Sequence, residues 1–552
     1  MASDQEIDLL VFGGGITGAG IARDAALRGL SIALVESHDF ASGTSHLTSK
    51  VVHGGLRYLE HGHIKPVVDA LIERYRLLEH LAPNLIRPLQ FVLPFENNEF
   101  VKWLYTLTGL HLYGFPEWYR CGRASGPRLG VRLTRDYPLM RPYPFAVTFW
   151  DAQTNDARLV LSTLRTAEAS GAMLQNYTSI REAVYDNHRW HLTVCSERDG
   201  QTHKFRARAV VNATGPWCPQ TAALLGVKYV SLTWLKGSHM MLPRPARFGE
   251  DAIVMRSVRD NRPLWVIPWH HRLIVGTTES NHTGDLRDVR PTADEVDDLF
   301  ESFRRAFPKA GFSRGDICGA YAGVRPIVPQ GVESANQLSR EHRIDVDADR
   351  RLVTVMGGKL TTFRMMAEQS VDEVERLLHR SPPIRAVRRR LREQRLWPGL
   401  SRDEGRQLRA NLARIYDALP HRDRLVKHLV LSYGWEASGI LEEIARQPSL
   451  GVPLTQTVPY TVAELGYLAR TEKPLRLLDL VKRRTSLYFL ADDCCACMLP
   501  RIAEHVGRSL GWDRERRARE LEHVAAEFAA DLACCRPSTA APALLDRQSV
   551  VA

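Results

Sequence analysis

Cysteine is scarce in this chain, with nine in 552 residues, too few for the stapled framework of a secreted small-domain protein. Five of them, Cys494, Cys495, Cys497, Cys534 and Cys535, crowd toward the end. Two adjacent pairs and one Cys-x-Cys do not make the paired Cys-x-x-Cys of a zinc site, so they read as reduced cytosolic thiols, with metal binding the minor alternative. Long hydrophobic runs are missing as well. No stretch reaches the roughly 18 uncharged apolar residues of a membrane span; residues 103–116 come nearest, but they are too short and include a histidine. The start is acidic and leads directly into a strand, which is not the basic-then-apolar pattern of a signal peptide. No repeat of solenoid period occurs, and the only compositionally biased segment is the Ala-, Pro- and Ser-rich 537–552, read as a disordered tail. Charge of one sign is not in large excess: 74 Lys and Arg against 63 Asp and Glu leave +11, a mild bias compatible with an anionic substrate, an anionic membrane surface or nucleic acid.

What is present is the balance of an ordinary folded protein, 44% hydrophobic and 25% charged, long enough for three or four domains at about 150 residues each. The first 36 residues read strand (7–12), glycine turn (13–18), helix (21–27, stopped at Gly29) and strand (31–35), which is a βαβ unit. Val67, Leu71, Leu77, Leu78 and Leu81 recur at helical spacing across 66–81. The pattern then loosens into proline- and aromatic-rich sequence as far as Asp151. Strands are expected at 204–214, at 264–277 as a pair turning at 269–272, and at 352–356, with a helix over 360–378. Beyond about Arg385, Arg, Leu, Glu and Ala at helical period indicate a C-terminal helical domain.

The segment Gly13-Gly14-Gly15-Ile16-Thr17-Gly18 fits G-x-G-x-x-G where a strand turns into a helix. Gly13 permits the turn, Gly15 keeps a side chain out of the way of a pyrophosphate, and Gly18 lets helix pack closely on strand. The helix N-terminus offers N–H groups and a positive dipole end. Glu36, at the end of the second strand, is placed to accept from ribose hydroxyls. A lone glycine motif is often only a turn, but here the preceding strand, the following helix and the acid agree on a dinucleotide site. NAD and FAD share this fingerprint. Further glycine turns, Ala213-Thr214-Gly215 and Gly357-Gly358-Lys359, each follow a strand, and an extended cofactor touched by three distant segments favours FAD.

With these residues the chain resembles the FAD-dependent glycerol-3-phosphate dehydrogenases, of the bacterial, aerobic, quinone-linked type. The N-terminal block runs Gly13-Gly14-Gly15-x-x-Gly18-Ala19-Gly20-x-Ala22-x-Asp24-x-x-x-Arg28-Gly29. The others are Ser49-Lys50-Val51-Val52-His53-Gly54-Gly55-Leu56-Arg57-Tyr58-Leu59, Asn212-Ala213-Thr214-Gly215-Pro216-Trp217, Lys236-Gly237-Ser238-His239, Gly323-Val324-Arg325-Pro326 and Gly357-Gly358-Lys359-Leu360-Thr361-Thr362-Phe363-Arg364. Two positions depart from the pattern: Phe12, where the family usually has Ile or Val, and Phe363, where it usually has Tyr. The likeness extends more weakly over 467–485, with Arg483-Arg484-Thr485, and no D-x-[DN]-x-[DN]-G calcium loop of the mitochondrial members is present.

The resemblance implies an α/β fold: a discontinuous Rossmann-type FAD-binding domain (1–85, 150–225, 320–385), an antiparallel-sheet substrate domain (86–149, 226–319), and an all-α C-terminal domain (386–536). It implies oxidation of sn-glycerol 3-phosphate to dihydroxyacetone phosphate, with electrons passed to membrane quinone from a peripheral position on the cytoplasmic face of the inner membrane. Gly13, Gly14, Gly15, Gly18, Glu36, Gly54, Gly55, Ala213, Thr214, Gly215, Gly358, Lys359, Leu360 and Thr361 are the expected FAD contacts. Thr44, Ser45, Ser49 and Lys50 form a polar turn that either joins them or is only a loop. Arg57, Arg325 and Lys359 are suited to a phosphate; each is otherwise a surface charge, but each lies beside a glycine turn or a proline. Tyr58 either bonds substrate or packs. His239 is the first candidate for the base, with His53 second and Arg325 sharing the proton work. Aromatics and cations across 100–120 have the composition of an interfacial anchor, or of domain core. The C-terminal helices are read as dimer contacts and lid support. Rival readings are an oxygen-using glycerol-3-phosphate oxidase, an amine or 2-hydroxy acid oxidoreductase of the same superfamily, and a nucleic-acid-binding flavoprotein. The last is disfavoured because no arginine-rich run has aromatics interleaved.

Overall fold

The computed structural model describes residues 5–55, 64–121, 126–227, 231–329, 342–381, 383–419, 421–491 and 498–535. Arg57, Tyr58, Cys494, Cys495, Cys497 and the tail 537–552 lie outside them. Two sheets and a helical C-terminal region make up the fold. In the first sheet the parallel strands Leu352–Met356, Thr202–Asn212, Gln5–Phe12, Ile32–Val35 and Met173–Gln175 lie side by side in that order. Arg343–Asp347 extends one edge antiparallel, and the hairpin Thr178–Asp186/Arg189–Ser196 pairs with the first half of Thr202–Asn212. The Gln5–Phe12 strand is apolar because both of its faces are covered, as in parallel sheets generally. Leu9 and Val11 pack in one core with the helices, and Leu10 and Phe12 in another with Trp190 and Leu192.

Helices Ile16–Leu27, Asp156–Ala169 and Phe363–Leu377 cover the first face. The first of these is buried almost all round, so its charges are matched internally. Arg28 pairs with Asp24, Asp372 and Glu375 at 2.6, 2.6 and 2.8 Å. Arg23 donates to the carbonyls of Leu391 and Gln394. Phe363 lies against Gly20, where an added Cβ would sit 2.9 Å from its ring. The departure from Tyr at this position therefore falls at a buried helix–helix contact.

The second sheet is largely antiparallel, in the order Ser280–Asn281, Thr233–Pro243, Arg272–Gly276, Pro263–Trp269, Ala252–Arg256, Ile86–Phe95, Phe145–Thr154, Val51–Val52. Gly319–Ile327 forms the other edge of Thr233–Pro243. Two sequence boundaries shift as a result. Gly319–Ile327 and all of Phe145–Thr154 belong to this sheet, because their partners are Thr233–Pro243 and Ile86–Phe95. The stretch before Asp151, which shows no clear period, contains the strand Ile86–Phe95 and the helix Phe100–Cys121. Pro88 and Pro94 obscure the strand's pattern, and the helix sequence mixes aromatic, apolar and polar residues without a clear stripe.

Between Arg402 and Ala533 the regular elements among the described residues are helices joined by loops. Buried ion pairs and a hydrogen bond fasten this region to the segments around the first sheet: Arg483 and Arg484 both reach Asp39, Arg158 pairs with Glu472, and the Tyr177 hydroxyl donates to Asp479. Cys534 and Cys535 are free thiols with sulfurs 3.9 Å apart.

Candidate active site

The glycine turn sits where Gln5–Phe12 ends. Gly13 has φ +108°, and a Cβ there would meet the Ala213 carbonyl at 2.5 Å, so two neighbouring parallel strands finish against one another. A Cβ on Gly18 would lie 1.9 Å from the Gly13 oxygen, which makes glycine obligatory at this helix–strand contact. At Gly15 a Cβ would meet only the Ser45 hydroxyl, at 3.2 Å. The helix has no acidic residue in its first turn, and Ser45 Oγ accepts the Ile16 N–H at 3.0 Å, so its positive end is not neutralised. Glu36 accepts from Gly14 N–H at 2.6 Å and His38 N–H at 2.9 Å. Gly215, Gly357 and Gly358 all adopt positive φ at strand ends on the same side of the sheet. An open turn, a cationic helix end, an acid at the second strand and two more glycine turns fit FAD, and these residues would hold it.

The second sheet turns one face to this edge. Tyr321 OH donates to the Thr48 carbonyl at 2.9 Å, and Thr44 Oγ1 donates to Val324 O at 2.5 Å. A Cβ on Gly323 would meet Leu47 O at 3.0 Å. Strand register then fixes what shares the face: His239 lies opposite both Tyr321 and Gly276, Gly237 opposite Gly323, and Trp265 opposite Gly276. His239 stacks on Tyr321 with centroids 4.7 Å apart. Gly276 makes room for the imidazole, since a Cβ there would be 2.5 Å from His239 Cδ2. Gly237 likewise makes room for the Arg325 guanidinium, 2.8 Å from where its Cβ would be. His53 meets Trp265 edge-on at 5.3 Å, and its backbone N–H and carbonyl both bond Thr361 Oγ1. Gly54 N–H is held by Asp151.

His239 is 2% exposed. Its Nε2 shares a 2.8 Å hydrogen bond with Ser49 Oγ, and its Nδ1 has no partner among the described residues. Burial, with Arg325 and Lys50 nearby, holds its pKa well below the usual 6.5, so at neutral pH the ring is uncharged and able to take a proton. Arg325 lies 3.5 Å from Thr277 Oγ1 and 3.6 Å from Glu279.

His239, His53, Arg325, Ser49 and Thr361 are thus gathered on one wall. Lys50 is placed otherwise: its ammonium is buried on Asp156 and on the His46 carbonyl, at 2.6 Å each. Asp156 also accepts from Thr48 N and Oγ1, fixing the loop from which Ser49 reaches His239. Thr44 and Thr214 likewise spend their hydroxyls on protein, Thr44 on Val324 O and Thr214 on Asn212 Oδ1.

Tyr321, Asp156, Glu295 and Trp265 escaped the sequence reading. Tyr321 and Arg325 alternate on one strand face around Gly323, a signal available in the sequence. Glu295 gives no such signal: it comes from a distant helix to accept from Ser238, Ser280 and the Thr292 N–H, and to pair with Lys236 at 3.0 Å.

A dinucleotide-binding parallel sheet apposed to an antiparallel sheet that carries a buried histidine and an arginine defines an FAD-dependent oxidoreductase. The family of that description, FAD dependent oxidoreductase, matches residues 8–372, and residues 402–517 match the C-terminal domain of alpha-glycerophosphate oxidase. A glycerol-3-phosphate dehydrogenase of Synechocystis is 30% identical, covering 93% of this chain and 95% of its own length. Glycerol-3-phosphate dehydrogenase 2 of Mycobacterium tuberculosis is 32% identical, covering 96% and 89%. The FAD complex of glycerol-3-phosphate dehydrogenase from Bacillus halodurans superposes with TM-score 0.76 at 24% identity, covering 98% of this chain and 97% of that one. The chain belongs to the FAD-dependent glycerol-3-phosphate dehydrogenase family, and its cofactor is FAD. Among the described residues no helix is long and apolar enough to cross a membrane.

Proposed function

We propose that this protein oxidises sn-glycerol 3-phosphate to dihydroxyacetone phosphate. The observation that carries the reading is the buried, neutral His239, stacked on Tyr321 and bonded to Ser49, beside an Arg325 guanidinium that Gly237 admits to the same wall. FAD, when bound, accepts the hydride from carbon 2. His239 removes the hydroxyl proton at Nδ1, the ring nitrogen without a hydrogen-bond partner among the described residues. Arg325 draws the substrate oxygens to that atom by charge-assisted hydrogen bonds. Lys359, Arg57 and Tyr58 complete the phosphate cradle in this reading, and His53 lines the wall next to Trp265.

Quinone as the electron acceptor, and a peripheral position on the cytoplasmic face of the inner membrane, are supported by the helix Phe100–Cys121. Its Val101 and Tyr105 are 80% and 76% exposed, with Phe100 and Leu104 about half exposed, an apolar patch suited to the bilayer interface. A second reading, an oxidase that passes electrons to oxygen, is favoured by the match of residues 402–517 to an oxidase domain.

Anaerobic addition of glycerol 3-phosphate to the yellow holoenzyme tests the first step: the flavin band bleaches if the reading is right and stays unchanged if it is wrong. Under air, reduction of a quinone analogue with little hydrogen peroxide identifies the dehydrogenase, and stoichiometric peroxide the oxidase. Arg325→Ala is expected to weaken substrate binding with flavin retained; unchanged steady-state kinetics would remove it from the site.

A further inference from the structure

Away from the active site, a groove of about 1210 Å³ runs between the helical segment 64–81 and the helix Arg385–Glu393. Arg76 lies on one wall and Arg385, Arg388, Arg389 and Arg392 on the other, with Glu393 the only carboxylate among the lining residues. Tyr75, Ile72 and His80 line it as well, with Tyr75 and His80 in edge contact at 5.6 Å. The nine-residue helix buries only Leu391, so its arginines are not there to pack a core.

The neighbouring carboxylates are shared with other arginines. Arg388 and Arg392 both approach Glu368, at 3.5 and 2.8 Å, but Glu368 is already bound by the buried Arg364 at 2.6 Å; Arg388 also lies 3.6 Å from Asp372, which is held at 2.6 Å by Arg28. Burial raises the Glu368 pKa, yet its bonds to Arg392 and Arg364 outweigh that and bring it down to about 2. Arg76 leans on Glu73, which holds Arg364 bidentately. Among the described residues Arg389 pairs only with Glu393, at 2.9 Å, and no carboxylate pairs with Arg385.

We infer that this groove binds a small polyanion carrying linked phosphates. Guanidinium groups converging from both walls match phosphate oxygens bidentately. The concavity suits a compact soluble ligand, because a flat bilayer cannot touch both walls. This inference stands independently of the proposed activity.

Sodium tripolyphosphate titrated calorimetrically into the full-length holoenzyme is the test, with glycerol 3-phosphate saturating to keep the probe out of any substrate phosphate site. The expected result is saturable binding at least about tenfold tighter than inorganic phosphate, weakening steeply with salt. Among the described residues Arg385 and Arg389 make no side-chain ion pair other than that of Arg389 with Glu393, so the double variant R385Q/R389Q is expected to keep its flavin and bind tripolyphosphate at least about tenfold more weakly. E393Q, which removes the lining carboxylate, is expected to bind several-fold more tightly, and decides the matter if the double variant does not fold. Absent saturable binding, or binding untouched in both variants, overturns the inference. Attachment to anionic vesicles, lost in R385Q/R389Q while tripolyphosphate fails to bind wild type, overturns it in favour of a lipid surface.

Discussion

Replacing Ser49 by alanine isolates what its hydroxyl does for His239. The bond is 2.8 Å long, and the imidazole is 2% exposed, so water cannot take the place of the lost partner. With Nδ1 already unpartnered among the described residues, the variant leaves both ring nitrogens of a buried imidazole without a protein hydrogen bond. An unsatisfied buried polar group costs about 1–3 kcal/mol. At about 1.4 kcal/mol per factor of ten, the rate of flavin reduction by glycerol 3-phosphate should fall by between about 5-fold and about 140-fold. The loss belongs in kcat more than in KM, because the Tyr321 stack and Arg325 are untouched. Stopped-flow reduction under anaerobic conditions measures it, with flavin content as the control for folding. Ser49→Thr, which keeps a hydroxyl, should recover much of the rate. A rate for Ser49→Ala within twofold of wild type, with full flavin content, would refute the assignment of Ser49 as the group that orients His239.

Gly276→Ala puts a methyl group 2.5 Å from His239 Cδ2 and 3.1 Å from the Ser238 carbonyl; overpacking of about 1–3 kcal/mol should displace the imidazole and lower kcat, read in the same assay. Gly18→Val collides with the Gly13 carbonyl at 1.9 Å, and the purified variant should be colourless. Asp39→Asn removes the carboxylate that Arg483 and Arg484 share while 1% exposed; breaking such a buried cluster costs about 3–5 kcal/mol, to be seen as an earlier unfolding midpoint in urea. The pH dependence has a definite sign. Glu368 and Glu527 are both brought down to about 2, so their stabilisation is complete above the ordinary carboxylate pKa of 4.5 and drains away as pH falls from there toward 2. His239 and His46, both held well below 6.5, add a loss that begins as pH drops through 6.5, because the unfolded chain takes up their protons first. Asp24, which burial pushes up to about 6, opposes this loss between pH 6 and 4, because the folded chain takes up its proton first. Below pH 4 that opposition is spent, so the melting temperature should fall steeply from pH 4 toward 2, whereas one that holds or rises over that range would contradict these assignments.

The nucleotide half of the site was legible from sequence because its constraints are local. Gly13, Gly18 and Glu36 lie within one strand–turn–helix–strand unit, where backbone sterics over a few residues dictate glycine and strand length dictates the place of the acid. His239 and Arg325 were singled out from sequence too; the structure brings them to one sheet face, where Gly276 leaves room for the imidazole and Gly237 for the guanidinium. Lys50 misleads for the opposite reason: a lysine in a polar turn reads as a ligand group, and only the fold reveals Asp156 buried beneath it.

Local order, then, was set by the chain itself: the apolar run ending Gln5–Phe12, the glycine turn, and the helical period beyond Arg385 follow from steric and hydrophobic preferences that act over a few residues. Tertiary structure decided that Gly319–Ile327 leaves the nucleotide sheet to pair with Thr233–Pro243, that Ser49 meets His239 across 190 residues of chain, and that the arginines at 385–392 face Arg76 across a groove. Those outcomes depend on which distant surfaces exclude water together, and no window of sequence contains both partners.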